Sequence, residues 1–219
     1  GTGVLGLITG FGSVCVNGAE IEYDAQTQIE IDGQPAREQD LAVGQLVRIT
    51  THAGRPDVAR EIRVQHVLVG PVERASPSER AIWVMGQRVE LRDPAAVGPS
   101  ENGPEAALRD ARGRELVAGT RVAVSGFRSE PGAIVASRVE GVAAGAEAST
   151  TALVEGVGAE ALVVGGVRAE LARPGSGGSA EKASRSDWTG QRVRVRGVWN
   201  AERKVLERAE VRPAPSLER

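Results

Sequence analysis

Val14-Cys15-Val16-Asn17-Gly18-Ala19-Glu20-Ile21 alternates valines before an Asn-Gly pair and carries an isoleucine after it. Asn-Gly between alternating strands is the strongest short-range sign of a two-residue hairpin, because both turn residues need positive φ. Pairing through that turn sets Val16 opposite Ala19, Cys15 opposite Glu20 and Val14 opposite Ile21. Val14, Val16, Ala19 and Ile21 then face a core, while Cys15 and Glu20 face outward. A slip of one residue would invert every side chain.

The same stretch returns twice, as Val84-Met85-Gly86-Gln87-Arg88-Val89 and Val164-Gly165-Gly166-Val167-Arg168-Ala169. Two further features follow in the same order each time. An acidic-apolar pair precedes a glycine: Asp40-Leu41 before Gly44, Glu115-Leu116 before Gly119, Asp187-Trp188 before Gly190. An alternating strand then starts at Gln45, Thr120 or Gln191, and a last strand closes each copy near Val64, Val139 and Val211. Repetition at this period predicts repeated small domains. About five strands per copy, with one helical turn at the acidic-apolar pair, predict an all-β chain of three tandem small five-stranded antiparallel OB-like barrels. Their boundaries are 1–66, 67–146 and 147–219. The copies differ mainly in one loop, which reads as flexible in the second (98–115) and third (173–187) because of its Gly, Pro and Ser.

Composition agrees. Aromatic residues are 3% of the 219, so the core must be built from Val, Leu, Ile and Ala. No apolar run approaches the roughly 20 residues of a membrane-spanning helix, so a membrane-spanning chain is not expected. One cysteine allows neither an internal disulfide nor a cysteine cage for zinc. The opening Gly1-Thr2-Gly3 has no signal-peptide pattern, and a processed amino terminus would look the same.

Gly10-Phe11-Gly12-Ser13-Val14-Cys15-Val16-Asn17-Gly18, Ile31-Asp32-Gly33-Gln34-Pro35-Ala36, Asp40-Leu41 and Val43-Gly44 together resemble a bacterial family of unknown function. Its members are built from tandem small OB-like β-barrel repeats and are commonly exported to the cell envelope. The likeness extends partly to the second copy, through residues 124–140. The resemblance implies a periplasmic or extracellular repeat protein and brings no catalytic residues.

The chain's own chemistry is sparse. His52 closes a strand before Ala53-Gly54-Arg55-Pro56-Asp57, where Asp57 could face it, yet an acid–base or metal site needs at least one more group. His66 lies too far along the next strand, and His52 reads as a surface histidine. Gly1-Thr2-Gly3-Val4-Leu5-Gly6 precedes no helix, so it is not a dinucleotide fingerprint. No catalytic residue, cofactor or metal ligand is expected.

Two surfaces remain as candidates. The outward position of Cys15 is taken by Trp83 and Val163 in the other copies, each opposite a charged residue. Cys15, Trp83 and Val163 either cover strand surface along neighbouring side-chain stems or form an interface with a protein partner or a second copy. Arg192, Arg194 and Arg196 share one strand face, with Arg208 and Arg212 nearby and Trp199 at the strand end. Guanidiniums beside an aromatic platform suit a polyanion, either single-stranded nucleic acid or anionic polysaccharide. Glu202, Glu207 and Glu210 offer the plainer reading of a solvated ion-pair ladder. A net charge of −2 argues against a general polyanion binder, so nucleic acid is not the expected partner. Trp188 occupies the place of Leu41 and Leu116 and is expected in the core. The function expected is a non-enzymatic envelope scaffold acting through protein contacts.

Overall fold

The computed structural model describes residues 3–92, 107–130, 133–172 and 188–214. Strands dominate it, and the chain divides into two compact units, Gly1–His66 and Val67–Arg219.

The first unit holds β1 (Gly3–Gly10), β2 (Val14–Val16), β3 (Ala19–Ile21), β4 (Gln28–Ile31), β5 (Gln34–Pro35), β6 (Leu46–His52) and β7 (Arg55–Val64). They pair in the order β3-β2-β1-β6-β7-β4-β5. A parallel bridge from Glu22 to Val58 brings the end of β3 back to β7 and closes a five-stranded barrel. β3 and β4 behave as one interrupted strand, since β4 also runs parallel to β7. Inside lie Ile8, Val14, Val16, Ile21, Leu41, Val47, Ile49, Ala59, Ile62 and Val64. The core is aliphatic, as the scarcity of aromatics requires.

The second unit holds β8 (Leu68–Ser76), β9 (Ala81–Val84), β10 (Gln87–Glu90), β11 (Arg121–Glu130) and β12 (Ala133–Gly141). It continues with β13 (Ala148–Val157), β14 (Ala161–Val164), β15 (Val167–Leu171), β16 (Arg192–Asn200) and β17 (Val205–Pro213). β8 pairs with β9, β9 with β10, β10 with β12, β12 with β11, and β11 with β8 again. The same circuit runs β13-β14-β15-β17-β16 and returns to β13. β8 and β13 pair through Val69–Ser149 and Leu68–Thr150, and a single apolar core runs through both halves.

Sheet polarity departs from the expectation of wholly antiparallel units. Each circuit contains one parallel pairing: β4–β7, β10–β12 or β15–β17. The reason is the long connection from the third strand to the fourth, which lets the last strand return alongside the third in the same direction. The helical turn is seen in the first copy as the 3-10 turn Glu38–Asp40, and Trp188 at the third copy's matching place is also in 3-10 conformation. At the matching place in the second copy an extended bridge joins Arg109 to Glu115. Leu108 and Leu116 beside it are buried, so this part of the 98–115 segment is packed structure. Buried Asp110 anchors it, accepting hydrogen bonds from the backbone of Arg112, Arg114 and Gly141 at 2.9, 2.9 and 2.7 Å. The 173–187 loop and Asp187 lie outside the described residues.

The three hairpin turns share one geometry. Asn17 and Gly18, Met85 and Gly86, and Gly165 and Gly166 all have positive φ, between 50° and 79°. In the first two, the side chain of the leading turn residue lies over a glycine of the facing strand. A Cβ on Gly6 would stand 2.4 Å from Asn17, and one on Gly70 would stand 2.8 Å from Met85. Asn17 uses the proximity to donate to the Leu5 carbonyl at 2.7 Å. In the third copy the roles reverse: the turn residue is Gly165, the facing residue is Ala152, and Arg128 fills the remaining space.

Candidate functional site

The first hairpin pairs Val14 with Ile21, Cys15 with Glu20 and Val16 with Ala19, the register that the Asn-Gly turn dictates. Val14, Val16 and Ile21 are buried, but Ala19 at the turn is exposed. Half-buried Cys15 also faces Gly10 across the β1 bulge. Val163 repeats this arrangement against Gly156, with Arg168 on its other side. In the second copy Arg74 replaces that glycine and lies flat on Trp83, its Cζ 3.3 Å from the ring centroid. Arg88 approaches Trp83 from the other side at 6.0 Å. Glu79 stands near both arginines, at 3.9 and 3.8 Å. The cover seen on Trp83 therefore comes from guanidiniums of its own circuit, a cation–π contact worth about 0.5–1 kcal/mol at an exposed site.

Arg192, Arg194 and Arg196 alternate on β16 with buried Val193 and Val195 between them. Arg196 meets Glu147 at 3.4 Å and stands opposite Glu210, while Arg194 donates to the Ser149 hydroxyl at 3.1 Å. The residue opposite Arg194 on β17 is another cation, Arg212. Glu207 turns elsewhere, accepting from Asn200 and Arg203 at 2.9 Å each.

Arg128 of β11 lies on the opposite, inward-facing side of β13, beside Ala152 and Gly165. Its Nε donates to the Thr151 carbonyl at 3.0 Å and its Nη2 to the Thr150 hydroxyl at 2.7 Å. Burial and then the Arg192 charge push its pKa down to about 10, against an opposing pull from Glu155. Burial lowers Arg192 as well.

Trp199 does not share the arginine face of β16. It has the parity of buried Val193 and Val195, not that of the arginines, so it pairs with buried Leu206 and packs against the core. Trp188 is half-buried and packs against the same core.

A shallow groove of about 450 Å³ in the first unit is lined by Phe11, Gly12, Tyr23, Arg37, Glu38, Gln39 and Leu41. Tyr23 donates to Glu38 at 2.8 Å, and its pKa is raised by burial and by that carboxylate. Sequence reasoning missed this groove. Phe11 and Tyr23 belong to different strand ends, and the one available hint was a phenylalanine in a turn of a chain with two. His66 is buried with its Nδ1 2.7 Å from Asp32, whereas His52 stands opposite Arg55.

Among the described residues no group of three or more His, Cys, Asp or Glu is placed to hold a metal ion. No described helix is long and apolar enough to cross a membrane. A family model for a domain of unknown function, DUF5666, matches residues 2–62 and again residues 69–140. No curated protein matches the chain.

Proposed function

The chain belongs to the DUF5666 family of domains of unknown function, and from that premise we propose a non-enzymatic binding and scaffold protein of the bacterial envelope. In this reading three tandem OB-like barrels, 1–66, 67–146 and 147–219, present their outer faces to a protein partner or a second copy. The strand circuit supports the OB assignment: first to second to third, third to fifth in parallel, fifth to fourth, and fourth back to first.

One observation carries the functional reading. Equivalent inward positions keep their character across the repeats: Ile8, Val72 and Val154, or Val14, Ile82 and Leu162, are all buried aliphatics. Equivalent outward positions do not: Cys15, Trp83 and Val163, or Gly10, Arg74 and Gly156. A constant frame with divergent exteriors suits a protein whose repeats differ in what they touch.

The test is a photo-crosslinking residue at Trp83, with Glu202 as control, in cells expressing the chain. The reading expects a discrete adduct, to one protein or to a second copy, from position 83 alone. Equal background from both positions overturns the contact role of this column.

The arginine face favours a second reading, a module that binds a polyanion. Its supporting observation is the like-charged pair on the outer face of β16 and β17, where Arg194 stands opposite Arg212.

A further inference from the structure

The first copy opens its hairpin where the other two latch theirs. Strand pairing runs on to Ala81–Glu90 in the second copy and to Ala161–Glu170 in the third. One residue further along, the Leu91 N–H donates to the Arg80 carbonyl at 2.8 Å, and the Leu171 N–H to the Glu160 carbonyl at 2.9 Å. In the first copy the pairing stops at Val14–Ile21. Glu22 keeps only its neighbour on the other side, β7, donating to the Asp57 carbonyl at 2.7 Å and accepting from the Ala59 N–H at 2.8 Å. Gly12 and Tyr23 hold the places of Arg80 and Leu91, and no backbone bond joins them among the described residues. The groove of about 450 Å³ opens there, with Gly12 and Tyr23 both in its wall. Leu91, at the matching place in the second copy, is fully buried.

The lining sets the chemistry. Phe11, 46% exposed, and Tyr23 bring two rings to one groove in a chain whose aromatics are 3% of its residues. Arg37, Glu38 and Gln39 stand beside them as consecutive exposed polar side chains. Glu38 Oε1 accepts from Tyr23 at 2.8 Å, and its Oε2 accepts nothing among the described residues. The Arg37 charge is offset by Glu38 next to it and by Asp40, whose carboxylate stands 3.9 Å from its Nε. A phosphate or sulfate would meet those carboxylates as well as the guanidinium, so the groove does not favour an anion. Rings beside donors and acceptors, without excess positive charge, match a neutral sugar. The C–H face of a pyranose lies on an aromatic ring, and its hydroxyls, each donor and acceptor, pair with carboxylate, guanidinium and amide groups. The volume is in the ordinary range of small-ligand sites.

We infer that this groove binds a neutral oligosaccharide, with one sugar ring on Phe11 and its hydroxyls held by Arg37, Glu38 and Gln39. The early opening of the hairpin confines the site to the first copy. It is independent of the Trp83 column and of the arginine face of β16.

Titrating the full chain with cellotriose, maltotriose and triacetylchitotriose tests it, with the phenylalanine and tyrosine ring signals followed by NMR. At least one trisaccharide should shift Phe11 and Tyr23 and leave Phe127 in place. The shift should persist at high salt, because a neutral ligand releases no counterions. Phe11→Ser, in an exposed turn, should weaken binding about tenfold, the scale of one lost stacking contact. Gln39→Ala should weaken it as well, and Phe127→Ser in the second unit should change nothing. Binding that Phe11→Ser and Gln39→Ala leave unchanged overturns the site. A proline decapeptide or a thymidine dodecanucleotide that moves the same rings while the sugars do not overturns the sugar assignment. Silence from all three trisaccharides overturns the inference and leaves the contact role of Trp83 and the polyanion reading to their own tests.

Discussion

Tyr23 is the sole tyrosine in the chain, so its ionisation can be followed without interference. Burial raises its pKa first, and the Glu38 carboxylate that accepts its hydrogen bond raises it further. A phenol whose folded pKa exceeds its unfolded value binds its proton more tightly when folded. The stabilisation is complete below the ordinary tyrosine value and is lost as pH rises through the folded one. Spectrophotometric titration should place Tyr23 above the free amino acid, and Glu38→Gln should bring it back part of the way. A normal titration in the parent chain would mean that the Tyr23–Glu38 bond does not persist in solution. Side-chain direction was legible in sequence only where alternation runs unbroken. It located Cys15 and the three arginines of β16. Its place at the strand end alone sets Trp199 at the arginine face, although alternation gives it the parity of Val193 and Val195, the core side on which it packs.

The turn and the strand that faces it form a matched pair, and the repeats supply two solutions to one packing problem: a large turn residue over glycine, or a glycine turn over alanine. Gly6→Ala should therefore destabilise the first unit by about 1–3 kcal/mol, the cost of overpacking, because its Cβ would meet Asn17 at 2.4 Å. Asn17→Gly alone loses the bond to Leu5. The double variant recreates the third copy's arrangement and should cost less than the sum of the two, a coupling that urea denaturation of the four chains would measure. Strict additivity would show that the two residues do not interact. The turns themselves were readable, since Asn-Gly and Gly-Gly answer a demand for positive φ. Their partners were not. Met85 over Gly70, or Arg128 reaching Thr150 and Gly165, joins residues that no local pattern links. Asp110 was hidden in the same way, as a buried acceptor within a stretch whose composition reads as loose.

Two separate sets of aliphatic side chains make up the cores, one within Gly1–His66 and one running through both circuits of Val67–Arg219. Residues that share a core unfold together, so calorimetry of the whole chain should resolve two transitions, the larger from the second unit. Three transitions would mean that β8 and β13 do not couple their circuits. Closure of those circuits also bears on which strand edges are left to pair with another chain. Sheets aggregate through edges, where unpaired N–H and C=O groups template another chain. Among the described strands only β3 and β5 pair with a single other strand; β3 is three residues long, and β5 is the pair Gln34–Pro35, whose proline has no N–H to give. Among the described strands the closed circuits leave only short edges for a fibril to grow on; the hazard begins when a ring opens.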